Sequence, residues 1–258
     1  MKEKILILGS TGLIGHQVYN YFKDIDKYEL HNTSYKNKAR ADTILLDARN
    51  ENNFIETIKN ISPHYIINCS GILINRSESN PENAIYLNSY IPNRLARLAD
   101  KINSKFIQLS TDCVFSGRKK KPYLESDLVD GESTYAKTKG LGEINNNRHL
   151  TLRTSVVGPT LQRNEELALF DWFMNQSNSI NGYTKTIWSG VTTIELAKAI
   201  HWAIEDNITG LYHITNGVPI SKYELLELFK KYTNTVSYTH LRAHETVLDL
   251  VCRLLLEK

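Results

Sequence analysis

Residues 5–15 read ILILGSTGLIG, and this stretch decides the fold. An apolar run ends in a glycine, and glycine returns at every third residue, giving positions 9, 12 and 15. Ile14, Val18, Tyr21 and Phe22 then share one helical face. The order is strand, glycine turn, helix. Glycine at such a mouth permits the tight turn and lets backbone N–H groups and the helix N-terminus approach a pyrophosphate without interference from Cβ. Gly9, Ser10, Thr11, Gly12, Leu13, Ile14 and Gly15 are therefore the expected phosphate cradle, with a purely structural turn as the alternative.

Further along, short apolar runs alternate with amphipathic stretches: KILIL (4–8), YEL (28–30), TILL (43–46), YIIN (65–68), KFIQLS (105–110) and TLRTS (151–155). A longer helix starts near Pro81 and carries Leu87, Ile91, Leu95 and Leu98 on one face. This alternation predicts an α/β fold, a Rossmann-like doubly wound parallel sheet. After Pro159 the pattern changes to helices at 165–176, 192–205 and 221–232 around a short strand LYHIT (211–215). The expected division is a dinucleotide domain over 1–160 plus about 183–206, and a smaller interleaved substrate lobe over about 161–182 and 207–235.

The last 23 residues, VSYTHLRAHETVLDLVCRLLLEK (236–258), resemble the translation of a transposon-type sequencing adapter rather than a protein family. The natural sequence is expected to break off near Thr235, and the tail is set apart from fold reasoning.

The composition, 41% hydrophobic and 23% charged, is that of a soluble globular protein, and no apolar run approaches the roughly 18 residues of a membrane span. A cytoplasmic protein is expected. The cysteines at 69, 113 and 252 lack CxxC spacing and the eight histidines form no metal-ligand pair, so free thiols and no metal site are expected. The net charge of +3 is small, and its densest cluster, RKKK (118–121), reads as a solvated loop rather than a nucleic-acid patch.

The glycine spacing is G-x-x-G-x-x-G, the form of the short-chain dehydrogenase/reductase superfamily, which the chain resembles. After the second strand an NAD site usually presents an acid; here LHNTSYKNKAR offers Lys36, Lys38 and Arg40, which suit a 2′-phosphate. NADPH is favoured, with NADH possible. Asp47, at the end of the third strand, resembles the superfamily's adenine-contacting aspartate, or else caps the next helix.

QLSTDCVFSG (108–117) follows the fifth strand, and STYAKTKGLGE (133–143) opens the next helix. Tyr135 and Lys139, four apart, share a helical face that Lys137 does not. A nearby ammonium is expected to lower the phenol pKa and help it exchange a proton, while Ser110 or Thr111 hydrogen-bonds the reacting carbonyl. Alone, Y-x-x-x-K is common on helix surfaces; its place after the glycine loop and the Ser-Thr stretch gives it weight.

GSTGLIG, NCSG (68–71), NPENAIYLN (80–88), STDCVFSG, PYLESD (122–127), STYAKTKGLGE, LRTSVVGP (152–159) and SGVTTIELAK (189–198) together resemble the dTDP-4-dehydrorhamnose reductase family of extended short-chain reductases. The resemblance runs across nearly all of 1–235. It implies reduction of the C4 ketone of a nucleotide-linked 6-deoxysugar in dTDP-rhamnose or surface-polysaccharide precursor synthesis, with NADPH giving hydride and a tyrosine giving the proton. By position it implies a catalytic set of Thr111, Tyr135 and Lys139, the last also on the nicotinamide ribose. Cys69, Ser70, Gly71 and Asn88 join Asp47 and the cradle in binding cofactor, Asn88 by supporting the lysine. A homodimer is also expected. The chain departs from the family at Cys113, where an aromatic is frequent, and at Val156, where tryptophan is frequent. Both changes bear on the sugar pocket rather than on hydride transfer.

Rival readings remain. A 4,6-dehydratase would need an acidic residue where Cys113 stands. A 4-epimerase uses the same Tyr/Lys pair with bound NAD. The regulatory subunit of methionine adenosyltransferase, a non-catalytic NADP-binding protein, resembles the same family. Elsewhere plain roles are expected: Trp172, Trp188 and Trp202 as core or lobe-interface aromatics, His16 on the first helix away from phosphate, and Arg153 anchoring the sheet edge or a carboxylate rather than substrate.

Overall fold

A computed structural model describes residues 2–119, 121–161, 168–233 and, through the backbone alone, 241–244. The chain begins with β1 (Glu3–Leu8), α1 (Gly15–Phe22), β2 (Tyr28–Ser34), β3 (Ile44–Leu45), α2 (Glu51–Ile61) and β4 (Tyr65–Asn68). Next come α3 (Ile74–Ser79), α4 (Pro81–Ala84), a π-helical stretch Ile85–Tyr90, α5 (Ile91–Lys101), β5 (Lys105–Thr111), a 3₁₀ turn Asp112–Val114, α6 (Thr134–Leu141) and β6 (Leu150–Thr154). Beyond lie β7 (Val156–Val157), α7 (Leu169–Met174), β8 (Ile180–Tyr183), β9 (Ile187–Trp188) and β10 (Val191–Thr192). The remaining elements are α8 (Thr193–Glu205), β11 (Gly210–His213), β12 (Ile220–Ser221), α9 (Lys222–Thr233) and β13 (Leu241–His244).

Seven strands form one sheet in the order β11-β6-β5-β4-β1-β2-β3, and every pairing in it is parallel. The strands in its middle are buried at nearly every position because helices cover both faces. Ile5 and Ile7 of β1 pack with Val18 and Phe22 of α1 and Leu196 and Ile200 of α8. Leu6 and Leu8 point the other way, into Phe54 and Ile58 of α2 and Leu95 and Leu98 of α5. The predicted doubly wound α/β sheet is the observed one.

Connections run outward to β2 and β3 on one side of β1, and to β4, β5 and β6 on the other. The reversal lies between β1 and β4, the place where such sheets open a crevice at their carboxyl ends. Register aligns these ends: Leu8 pairs with Thr33 and Asn68, and Thr111 pairs with Thr154.

The helices that border the crevice start on side-chain caps. Ser133 accepts from Ala136 N at the head of α6, and Asn80 caps α4 with Pro81 in its first turn. Ser221 and Glu224 satisfy each other's backbone N–H at the head of α9.

A third apolar cluster joins Val157, Leu169, Phe173, Trp188, Leu225, Leu226 and Phe229. The segment 207–235, expected whole in the smaller lobe, divides between two places. Gly210–His213 pairs with β6 as the sheet's edge strand, because α8 returns the chain in a parallel crossover, while α9 packs into the third cluster. Within 183–206, expected in the larger domain, α8 covers the sheet but Trp188 belongs to the third cluster.

The beginning of the expected helix at 165–176 falls outside the described residues. So does the tail, apart from Leu241–His244, which pairs parallel with β8. Trp202 departs from expectation, standing exposed on α8. Cys69 is a free thiol, whereas Cys113 is disulfide-bonded, so the expectation of free thiols fails there.

Candidate active site

Gly9, Gly12 and Gly15 lie in the turn from β1 into α1. Gly9 adopts φ +76°, and a Cβ there would sit 3.0 Å from the Ser70 backbone, so the β1 and β4 ends meet only without a side chain. At Gly15 a Cβ would lie 2.2 Å from the Gly9 carbonyl oxygen, which explains a glycine at the first position of α1. Thr11, Gly12, Leu13 and Ile14 make the turn between them and stay partly exposed. The Ser10 hydroxyl is spent on Asn32 at 2.9 Å. His16 is buried, and its Nδ1 meets the Gly12 carbonyl oxygen at 2.9 Å, bracing the loop from behind. The residues fit a pyrophosphate, which backbone N–H groups and the start of an eight-residue helix would hold.

At the β2 and β3 ends, Asp47 accepts two hydrogen bonds of 2.9 Å from the Arg49 guanidinium, which holds its carboxyl below the usual range. Asp47 does not cap the next helix; Asn50 does. The Arg49 guanidinium also meets the Tyr35 hydroxyl and lies over the Tyr35 ring, as Lys36 does. Lys36 and Lys38 are exposed, but Arg40 turns toward α1, stacking 3.8 Å over the Tyr19 ring. Arg49, not singled out in the sequence, thus joins the basic groups here.

At the switch point Asn88 is buried and holds the loop after β4 through both backbone groups of one residue, Ile72. Its Oδ1 accepts from Ile72 N at 2.8 Å and its Nδ2 donates to Ile72 O at 3.0 Å and to Thr138 at 3.3 Å. It supports Lys139 through the neighbouring turn of α6 rather than by direct contact. The π-helical register, common at functional sites, sets where Asn88 points. A Cβ on Gly71 would fall 3.1 Å from Asn88 Oδ1, so Cys69, Ser70 and Gly71 form a tight floor beside Lys139.

Thr111 ends β5, and its hydroxyl accepts from Cys113 N at 3.1 Å. Tyr135 reaches it from the first turn of α6. Burial pushes the Tyr135 phenol up to about 12; the neighbouring Thr111 hydroxyl pulls it down and the Asp112 carboxylate pushes it up. The expected lowering by Lys139 is absent. The Lys139 ammonium instead donates to the Leu109 carbonyl at 2.7 Å. Burial pulls it down to about 8, opposed by Glu143 and Cys69.

Ser110, the other candidate hydroxyl, donates to Glu143 at 2.7 Å. Thr111 is the hydroxyl that acts on the phenol, and it too has a carboxylate partner, donating to Asp112 Oδ1 at 3.2 Å. Glu143 also receives two 2.7 Å hydrogen bonds from Arg153, both side chains being buried. Of the two roles expected for Arg153, sheet edge or carboxylate anchor, it takes the second. Glu143 lies in the stretch that carries Tyr135 and Lys139, four residues beyond the lysine, and that spacing was its signal. No local pattern marked Lys222, whose ammonium and the Asp112 carboxylate act on each other across the cleft.

Among the described residues no group of histidine, cysteine and acidic side chains could hold a metal, and no helix is long and apolar enough to cross a membrane. A parallel sheet with a glycine cradle at its switch point and a Thr-Tyr-Lys set beside it defines the dinucleotide-binding Rossmann class. The chain belongs to the family described as RmlD substrate binding domain, whose model matches residues 2–247.

It is 30% identical over 236 residues to methionine adenosyltransferase 2 subunit beta of Xenopus laevis, covering 86% of this chain and 70% of that one. It is 29% identical over 161 residues to dTDP-4-dehydrorhamnose reductase of Escherichia coli K12, covering 59% and 51%. The fold matches that of dTDP-4-dehydrorhamnose reductase from Bacillus anthracis, solved in complex with NADP, with a TM-score of 0.80 at 22% identity over 95% of this chain and 85% of that one.

Proposed function

We propose that this protein is a cytoplasmic NADPH-dependent reductase of the C4 ketone of a nucleotide-linked 4-keto-6-deoxysugar, with dTDP-4-dehydrorhamnose as the foremost substrate. The observation that carries this reading is the placing of Thr111, at the end of β5, beside the buried Tyr135 phenol, whose proton affinity its hydroxyl lowers, in a crevice that the glycine cradle also borders.

NADPH, when bound, supplies the hydride. Gly9 to Gly15 bind its pyrophosphate, and Tyr35, Lys36 and Arg49 surround its adenosine end. Tyr135 gives its proton to the ketone oxygen: a phenol held near 12 stays loaded at neutral pH, and an alkoxide is basic enough to take the proton. Thr111 directs a hydroxyl at the same oxygen. Lys139, tied to Leu109, would hold the nicotinamide ribose through its ammonium.

The test is NADPH oxidation with dTDP-4-dehydrorhamnose and its UDP and GDP counterparts, repeated with NADH. Oxidation that favours NADPH is expected; none with any of the sugars would overturn the reading.

The length of the match to the methionine adenosyltransferase subunit favours a second reading, a non-catalytic dinucleotide-binding subunit. NADPH binding without turnover, joined to tight binding of a partner enzyme, would select it.

A further inference from the structure

The cleft has two halves, and the dinucleotide accounts for one. The glycine cradle sits at the end of β1, next to β2 and β3, whereas Thr111 and Ser155 stand at the ends of β5 and β6 on the other side of the switch point. Over that second half lies a short antiparallel pair, with Ile220 opposite Trp188 and Ser221 opposite Ile187, and Lys222 donates its backbone N–H to Thr186 O at 2.8 Å. Trp188 is buried, and its indole N–H donates to Ser155 at 2.9 Å, which fixes the ring over the β6 end.

The Lys222 ammonium lies 5.8 Å from the centre of that ring. It acts on the Asp112 carboxylate, which directly follows Thr111 and itself acts on the Tyr135 phenol. Among the described residues Lys222 makes no ion pair and its ammonium donates no hydrogen bond. An ammonium held partly out of water in this state is costly unless an anion joins it.

We propose that Lys222 binds the diphosphate of the nucleotide-linked substrate. This rests on the nucleotide-sugar reading above. A sugar whose C4 ketone meets Thr111 and Tyr135 carries its diphosphate at C1, across the width of one ring. Lys222 stands at the head of α9 beside Trp188, which is bonded to Ser155 at the β6 end, whereas the glycine cradle lies at the end of β1. A single ammonium gives a point charge rather than a planar fork, which suits a phosphate able to turn with its sugar.

The test is calorimetric titration of the NADPH-loaded protein with dTDP, with UDP and GDP in parallel and thymidine as the phosphate-free control. Lys222→Met should weaken dTDP binding by roughly tenfold or more while thymidine and NADPH binding are unchanged, since a charge-assisted hydrogen bond is lost. Lys222→Arg should restore most of it, and Lys222→Gln serves if the methionine variant does not fold.

Unchanged dTDP affinity in Lys222→Met, an equal loss for thymidine, or a wild type that binds no nucleoside diphosphate would overturn the assignment. The two readings fail separately. Lys222-dependent dTDP binding without ketone reduction would sink the reductase alone. Ketone reduction with unchanged KM in Lys222→Met would sink the Lys222 assignment alone.

Discussion

The Lys139 ammonium donates to the Leu109 carbonyl at 2.7 Å, so the helix that carries Tyr135 is tied to the strand that ends in Thr111. The same burial that makes this bond strong makes the charge costly. A lysine drawn from the usual 10.5 to about 8 binds fewer protons folded than unfolded between those values, so its contribution to stability rises with pH across that window and is unfavourable below it. Lys139→Met should therefore stabilise the fold at pH 7 by about 2 kcal/mol, roughly 3 from the removed charge less about 1 for the lost hydrogen bond. The gain should shrink as pH passes 8. Thermal melts at pH 7 and 9.5 check this, and activity should be lost in the same variant.

Turnover should fall as pH rises through about 8, where Lys139 loses its charge, because the phenol near 12 stays protonated throughout. The Glu143 carboxylate favours the charged lysine, so Glu143→Gln should move this midpoint to lower pH. A pH profile of kcat measures both.

Removing one member of a buried ion pair leaves the other unpaired. Glu143→Gln should destabilise the protein by about 3–5 kcal/mol, and adding Arg153→Met should recover much of that loss. Denaturant unfolding of the single and double variants gives the comparison.

Thr111→Val removes the hydroxyl that faces the phenol and should lower kcat by roughly 10²-fold, whereas Thr111→Ser should retain most of it. Ser110→Ala should act on stability instead, since Ser110 bonds Glu143. Steady-state kinetics and melts on the three variants separate the roles.

The layers of the fold were legible because β1, β4 and β5 are apolar runs too short for helices, and the glycine turn names the first crossover. The cradle, Thr111, Tyr135 and Lys139 were legible because glycine at a close approach and a four-residue helical spacing are local signals. What the lysine touches was not: its partner Leu109 lies thirty residues away on another element, and only the packed structure decides between phenol and carbonyl. Nor were the partners of Asp47, because Arg49 follows by two and could have turned either way. The edge strand at Gly210–His213 escaped its place because its parallel pairing with β6 depends on the α8 crossover, a long-range contact with no sequence mark.

The central claim is that Tyr135 gives the proton in ketone reduction. The direct measurement is turnover of dTDP-4-dehydrorhamnose by Tyr135→Phe beside a titration of NADPH into the same variant. Turnover should fall by roughly 10²- to 10⁴-fold with NADPH affinity retained, since only the acid is removed. Unchanged turnover would contradict the assignment.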